Sequence, residues 1–253
     1  MVNCLFIYYS IRPEKISGRE KNISSHKKYL FFTALFGVGL FNTFIYLAGH
    51  YTSAINLALI GTTASPVFIT ALSFFFLKEK IKTLRIIGMA LCIAGIILLL
   101  SQGSFSKLLQ LHFGKGDLLI LCSAFFFSIY SILVKKKPAT ISPISFLFVI
   151  FISGTLMLFP FSMIELHNAP TLQWTTGMYL TIVYLGIGNS VIGFLCWNGA
   201  IAKIGAARTS LFGNLIPVFS TIEAVILLNE QFTIFHLISG IVVIAGIVIA
   251  NLK

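Results

Sequence analysis

The sequence predicts an all-α integral membrane protein, an inverted-repeat helical bundle with about eight transmembrane helices. Three observations carry that reading. Hydrophobic residues make up 57% of the 253 residues and charged residues only 10%, whereas a soluble domain carries about 25% charged residues. The apolar residues fall into runs of about the 20 residues that a helix needs to cross hydrocarbon. The chain also repeats itself.

The repeat sets the framework for every element. An offset of 151 residues carries Pro66 onto Pro217, Val67 onto Val218, Phe68 onto Phe219 and Thr70 onto Thr221 without a gap. The same offset carries Leu77 onto Leu228, Glu79 onto Glu230, and the run Ile93-Ala94-Gly95-Ile96 onto Ile244-Ala245-Gly246-Ile247. Shared greasy composition would match some Ile and Leu by chance, but it would not bring a proline, a glutamate and a glycine into one register.

Seven full spans are read at 29–48, 54–77, 84–101, 117–134, 144–164, 176–200 and 207–228, and an eighth at 234–252. The opening MVNCLFIYYSIR is apolar but too short to cross. Carried back by the offset, the 144–164 span ends at Pro13 and the 117–134 span falls upstream of Met1. The second half therefore holds five spans, and the first holds three and the tail of another. The expected organisation is a first repeat at 1–101, lacking its first span and part of its second, a linker at 102–116, and a complete second repeat at 117–253. A true eight-span protein with a short re-entrant start is the alternative. The linker's LLQLHF core is compatible with a position on the membrane surface, and Trp174 fits an interfacial anchor.

Orientation follows from the basic residues. If the 12–28 loop is cytoplasmic, so are 78–85, 135–137, 203–208 and Lys253, which leaves only Lys107 and Lys115 outside. An odd number of crossings then separates the Pro66 helix from the Pro217 helix, so the repeats lie upside down to one another. Inverted repeats are the signature of secondary transporters.

The composition excludes other classes. The net charge of +11 sits in short clusters between apolar runs, which is a topology signal and not a nucleic-acid face. The four cysteines are isolated, with neither a disulfide framework nor a metal-ligand spacing, and no cofactor is indicated. The sequence carries no phosphate loop, HExxH or GxSxG motif, so the reading is of a protein that is not an enzyme. No cleavable signal peptide is evident.

The candidate functional residues are the polar ones inside spans. Pro66 and Pro217 each kink a helix and free the carbonyl four residues back, those of Thr62 and Gly213. Thr62, Thr63 and Ser65 flank one proline, Ser210 and Asn214 the other. A polar midplane cavity and a packing kink are both open readings, and the symmetric polar flanks favour the cavity. The runs GLFNTFIYLAGHY and GIGNSVIGFLCWNGA match at the same offset, Gly37 with Gly188 and Tyr46 with Trp197. They place Asn42, Thr43, Asn189, Ser190 and Asn198 within the membrane, and Tyr46 and Trp197 could stack on a flat or cationic substrate. Ordinary helix packing is the alternative for each. Glu223 is the carboxylate clearly inside a span, so it is a candidate to bind a cation or take up a proton. A structural hydrogen bond to a neighbouring helix is the equal alternative. Asp117 reads as a helix N-terminal acid. Glu79 and Glu230 read as braces of the turns after the proline helices.

A proline helix ending in a Leu-x-Glu turn and followed by a Gly-rich helix, twice in one chain, resembles the drug/metabolite transporter superfamily, and its EamA-type bacterial members most. The motifs are SPVFITALSFFFLKEK with GMALCIAG and IPVFSTIEAVILLNEQ with GIVVIAG. The resemblance implies ten spans in the complete fold, both termini cytoplasmic, and a central cavity lined by the proline helices and by the spans carrying Tyr46, Tyr130, Tyr184 and Trp197. It implies a secondary active transporter in the bacterial inner membrane, moving a small polar or amphipathic metabolite by alternating access. The substrate classes implied are an amino acid or a related compound such as S-adenosylmethionine. The partners are that substrate, the lipid bilayer and no nucleic acid; a proton as coupling ion and a homodimer are compatible with the reading. The alternatives are a truncated remnant without transport and a broad multidrug exporter.

Overall fold

The computed structural model describes residues 25–52, 54–101, 103–104, 114–168, 175–228 and 233–252. The expectations for the chain start, the LLQLHF core, Trp174 and Glu230 lie outside these residues. Among the described residues the secondary structure is helical throughout, in eight helical passages. Helix α1 (Lys27–Gly49) is followed by α2 (Ala54–Leu77), α3 (Thr83–Ser101), α4 (Lys115–Lys135), α5 (Pro143–Asn168) and α6 (Thr176–Ile204). The next passage is broken into α7 (Ala206–Phe212), a 3-10 turn (Gly213–Leu215) and α8 (Ile216–Leu228); α9 (Ile234–Asn251) closes the fold. Six segments are long and apolar enough to cross a bilayer, and Thr83–Leu99 is a shorter apolar helix.

The helix ends identify the two poles of the bundle. At one pole the Thr52 hydroxyl donates to Asp117 Oδ1 at 2.7 Å, and the Gly114 N–H to Asp117 Oδ2 at 2.8 Å. Asp117 thus caps the start of α4 by accepting from the Gly114 backbone, at the helix end where its position predicts an acid. At the other pole Lys135 Nζ donates to the Ile201 and Ala202 carbonyls, each at 3.3 Å. That places a cation on the carbonyl end of α6 and ties it to the end of α4. Gly205, at φ +91°, makes the reversal between α6 and α7. This left-handed conformation is strained for any residue with a Cβ.

The sharpest packing is between α3 and α9. Gly88 lies so close to α9 that a Cβ there would stand 2.3 Å from the Gly246 carbonyl oxygen and 2.5 Å from the Ala250 nitrogen. Gly95 would stand 3.1 Å from the Ser239 oxygen, and Gly246 2.9 Å from the Cys92 nitrogen. The pairing runs backwards along the two helices, so they are antiparallel. It is also two-fold symmetric, because Gly88 and Ser239 are repeat mates and so are Gly95 and Gly246. Cys92 and Val243 are mates of each other, and the Cys92 thiol reaches the Val243 carbonyl at 3.5 Å on the axis itself. The symmetric half-turn between antiparallel mates is the inversion that the parity of crossings predicts. Small residues allow this backbone approach in hydrocarbon, where van der Waals contact drives helix association.

The other half of the bundle is organised by α4, which carries the most buried span. It packs against α1 and α2 through Ile120, Ala124, Ser128 and Tyr130, all buried. Gly154 of α5 meets Val38 of α1, leaving 2.3 Å to the valine Cγ1 from a built Cβ.

Replacing Gly88 with Leu is expected to lower stability by about 1–3 kcal/mol, read as an earlier thermal transition in detergent, because the new side chain meets backbone. Gly186→Ala, where a Cβ meets no atom within 4 Å, should be neutral or slightly stabilising. Equal behaviour of the two variants would remove the crossing from its central place.

Candidate functional site

The polar residues of the spans fall into three groups. In the first, α4 meets the second half of α6. The Tyr130 hydroxyl donates to Asn198 Oδ1 at 2.8 Å, and the Trp197 indole N–H donates to the Ser131 hydroxyl at 3.3 Å. Phe127 joins the two, with ring centroids 5.2 Å from Trp197 and 5.8 Å from Tyr130. Phe194 lies 5.7 Å from the Tyr130 ring. Tyr130 is fully buried and lies against Gly37, where an added Cβ would come 2.1 Å from its ring. The amide nitrogen of Asn198 is buried without a hydrogen-bond partner among the described residues. Asn198 is the member that completes the group, and its only sequence signal is an amide one residue from the matched Trp197.

The second group surrounds the two prolines, both buried. Helix α2 continues through Pro66. The Ser65 hydroxyl returns to the Gly61 carbonyl at 3.1 Å, and the Ser128 hydroxyl of α4 lies 3.5 Å from the Ser65 carbonyl. Thr62 is half-buried beside them. The mate, Pro217, does not sit in a continuous helix, because the chain tightens into the 3-10 turn Gly213–Leu215 just before it. The difference has a local cause: the residue four before the proline is Thr62 in one repeat and Gly213 in the other, and glycine weakens a helix by about 1 kcal/mol. Asn214, in that turn, is fully buried. Its carboxamide makes no hydrogen bond among the described residues beyond a loose approach to the Cys92 thiol. Glu223 lies on α8, with its side chain outside the described residues.

The third group lies apart from these. The Tyr46 hydroxyl donates to Glu165 Oε1 across α1 and α5, and His50 lies edge-on to the tyrosine ring at 4.9 Å. The Asn42 amide returns to the Val38 carbonyl at 2.8 Å. Tyr184 and Asn189 are both exposed on α6. The structure therefore brings Tyr130 and Trp197 together and sets Ser65 against α4, but it does not gather Tyr46, Tyr184 or Asn189 with them. Glu79, just beyond the end of α2, lies 3.8 Å from Arg85 and faces Gly205.

Two π-helical segments complete the picture. They run from Leu35 to Leu40 in α1 and from Tyr184 to Gly193 in α6. The repeat offset carries the first into the second. Such widened turns free backbone carbonyls and recur at functional sites. Here side chains take up some of the freed groups: Thr43 reaches Gly39 at 2.8 Å, and Ser190 reaches Leu185 at 3.0 Å. Matched glycines at 37 and 188 were the signal available in the sequence. The first segment is buried at Gly37, Val38 and Gly39; the second buries no residue.

The comparisons agree with this architecture. Residues 3–101 and 114–252 match the model of the EamA-like transporter family. The uncharacterized transporter YyaM of Bacillus subtilis is 28% identical over 222 residues, 86% of this chain and 70% of that protein. An uncharacterized transporter of Archaeoglobus fulgidus is 28% identical over 239 residues, covering 93% and 80% of the two chains. A probable terminal-alkyne amino-acid exporter of Streptantibioticus cattleyicolor is 25% identical over 187 residues, 74% of this chain and 61% of its own. A solved crystal structure superposes with a TM-score of 0.72 at 19% identity, covering 92% of this chain and 83% of the other; it speaks for the fold alone.

Replacing Tyr130 with Phe is expected to cost about 1 kcal/mol, the scale of hydrogen bonds between membrane helices, because Asn198 Oδ1 loses its donor. Adding Asn198→Leu should recover part of that cost in a double-mutant cycle read by thermal denaturation. Strict additivity would show that the pair is not coupled.

Proposed function

We propose, from the premise that the chain belongs to the EamA-like transporter family, that it moves a small polar or amphipathic metabolite across the bacterial inner membrane. The substrate class we favour is an amino acid or a related cationic metabolite such as S-adenosylmethionine. The observation that carries the reading is a pair of buried carboxamides without full hydrogen bonding, those of Asn198 and Asn214. One stands beside an aromatic cluster and the other in the broken helix at Pro217. An amide kept unsatisfied in hydrocarbon is costly, and a polar substrate that supplies the missing donors and acceptors offsets that cost. The aromatic faces of Phe127, Tyr130 and Trp197 would receive an apolar or cationic part of the same molecule. The relative described as a probable amino-acid exporter favours the amino-acid class.

In this reading Asn42, Tyr46, Thr62, Ser65, Tyr184 and Asn189 act as the substrate's further contacts as the site opens, and Glu223 as a charge partner for an ammonium or a coupling proton. Pro66 and Pro217 are the hinges, with Glu79 and Glu230 bracing the turns that follow. The transport cycle is alternating access, with two inverted repeats rocking about the α3–α9 crossing. Basic residues of the described chain crowd one pole, among them Lys78, Lys80, Lys82, Lys135 and Lys203, while Lys115 stands at the other. The charge rule then puts that pole, and the C-terminal end of α9, in the cytoplasm.

Reconstituted protein should exchange labelled amino acids across proteoliposomes. Glu223→Gln should lower the rate about tenfold, the loss of one interaction of about 1.4 kcal/mol, while the thermal transition stays in place. Wild-type rates in that variant would remove Glu223 from the mechanism. No exchange of any amino acid or of S-adenosylmethionine by the wild-type protein would overturn the substrate class.

A further inference from the structure

Arg85 is an anomaly of the α3–α9 seam. It lies on the same buried stripe of α3 as Gly88, Cys92 and Ile96. Its side chain is 9% exposed, and its Nε and Nη1 make no hydrogen bond among the described residues. The nearest carboxylate, Glu79, stands 3.8 Å from Nη1, which is ion-pair contact without a hydrogen bond. Arg208 lies in the first turn of α7, directly after Gly205, and its positive charge acts on Arg85. The other oxygen of Glu79 lies at Gly205, 3.3 Å from where a Cβ would be. One carboxylate therefore stands between Arg85 and Gly205, at the junction of the α2–α3 and α6–α7 turns. A guanidinium cannot shed its proton, and its planar fork of donors matches an oxyanion in two-point contact. Leaving such donors buried and unmet is strongly unfavourable.

We propose that Arg85 and Arg208 form a binding site for a phosphate oxyanion, which enters the seam between the two turns and satisfies the donors that Glu79 leaves unmet. The site lies at the basic pole, where Lys78, Lys80 and Lys82 are exposed beside it. These lysines raise the local concentration of anions at the membrane surface. The headgroup phosphate of an anionic phospholipid and free inorganic phosphate present the same chemistry. Binding would fasten the turn after the first proline helix to the turn before the second, at the pole where the two repeats meet. Glu79, whose charge the Arg85 guanidinium offsets at 3.8 Å, is then a brace for Arg85 on one side of the site.

The test uses the full chain purified in detergent, with phosphatidylglycerol, phosphatidylcholine, inorganic phosphate and chloride at matched ionic strength as probes. Bound lipid is read by native mass spectrometry and stability by the thermal transition. The wild type is expected to retain phosphatidylglycerol or to be stabilised by phosphate, beyond chloride in either case. Arg208→Gln should weaken that binding at least about fivefold, the effect of one basic charge at a membrane surface. Lys203→Gln removes an exposed charge nearby and should leave binding near the wild-type level. Arg85→Gln should behave as Arg208→Gln; if that variant does not fold, Arg208→Gln decides alone. Competition of phosphate against phosphatidylglycerol assigns the free anion access to the same site, and lipid binding without competition assigns the headgroup. Equal loss in Lys203→Gln and Arg208→Gln, or equal stabilisation by chloride, would overturn the proposal.

Discussion

The glycine-lined crossing of α3 and α9 is the contact on which the rest of the structure depends. Two apolar helices gain nothing from each other in lipid unless their backbones come close enough for dispersion and carbonyl contacts to replace those with acyl chains. Gly88, Gly95 and Gly246 permit that approach, and the symmetry of their contacts makes each repeat the partner of the other. The repeat therefore does more than duplicate a motif. It creates a helix pair whose surfaces fit because they are two copies of one surface, turned over. The proline helices lie beside this seam, and the unsatisfied Arg85 lies at its basic end.

Hydrocarbon imposes a second constraint, and the hydroxyl groups show how it is met. Thr33 returns to the Tyr29 carbonyl and Thr209 to Gly205, and the Asn251 amide returns in the same way to Ile247, each four residues back along the chain. These side chains are satisfied locally and ask nothing of their neighbours. Against that background, the groups without a hydrogen bond among the described residues stand out: the Asn198 nitrogen, both Asn214 side-chain atoms, and the Thr70 and Ser73 hydroxyls. Their cost in an apolar medium is what makes them informative.

The two repeats are not equal, and the differences are chemical. One proline sits in a continuous helix, and its mate follows a 3-10 turn. One π segment is sealed by Tyr130, lying against Gly37, while its mate around Gly188 is open, with the Tyr184 ring of its own helix the nearest neighbour at 3.5 Å. The scaffold is symmetric, and its fillings are not.

The sequence by itself determined the helical class, the membrane setting, the span positions and the repeat. These are all local or periodic properties: run length, charge clustering, and a fixed offset between prolines, glutamates and glycines. It also identified Tyr130 and Trp197 as residues of interest, through resemblance and through the match with Tyr46. What only the tertiary structure decided was which of the matched residues meet. Nothing in the linear pattern pairs Gly37 with the Tyr130 ring, joins Tyr130 to Asn198, or separates Tyr184 and Asn189 from both. Those outcomes depend on the rotation of each helix about its axis and on its depth in the bundle, and an apolar helix in lipid carries little amphipathic pattern to fix either. The π segments and the broken helix at Gly213 belong to the same class. Their cost is set by the packing of neighbouring spans, so the sequence holds the glycines that permit them but not the contacts that select them.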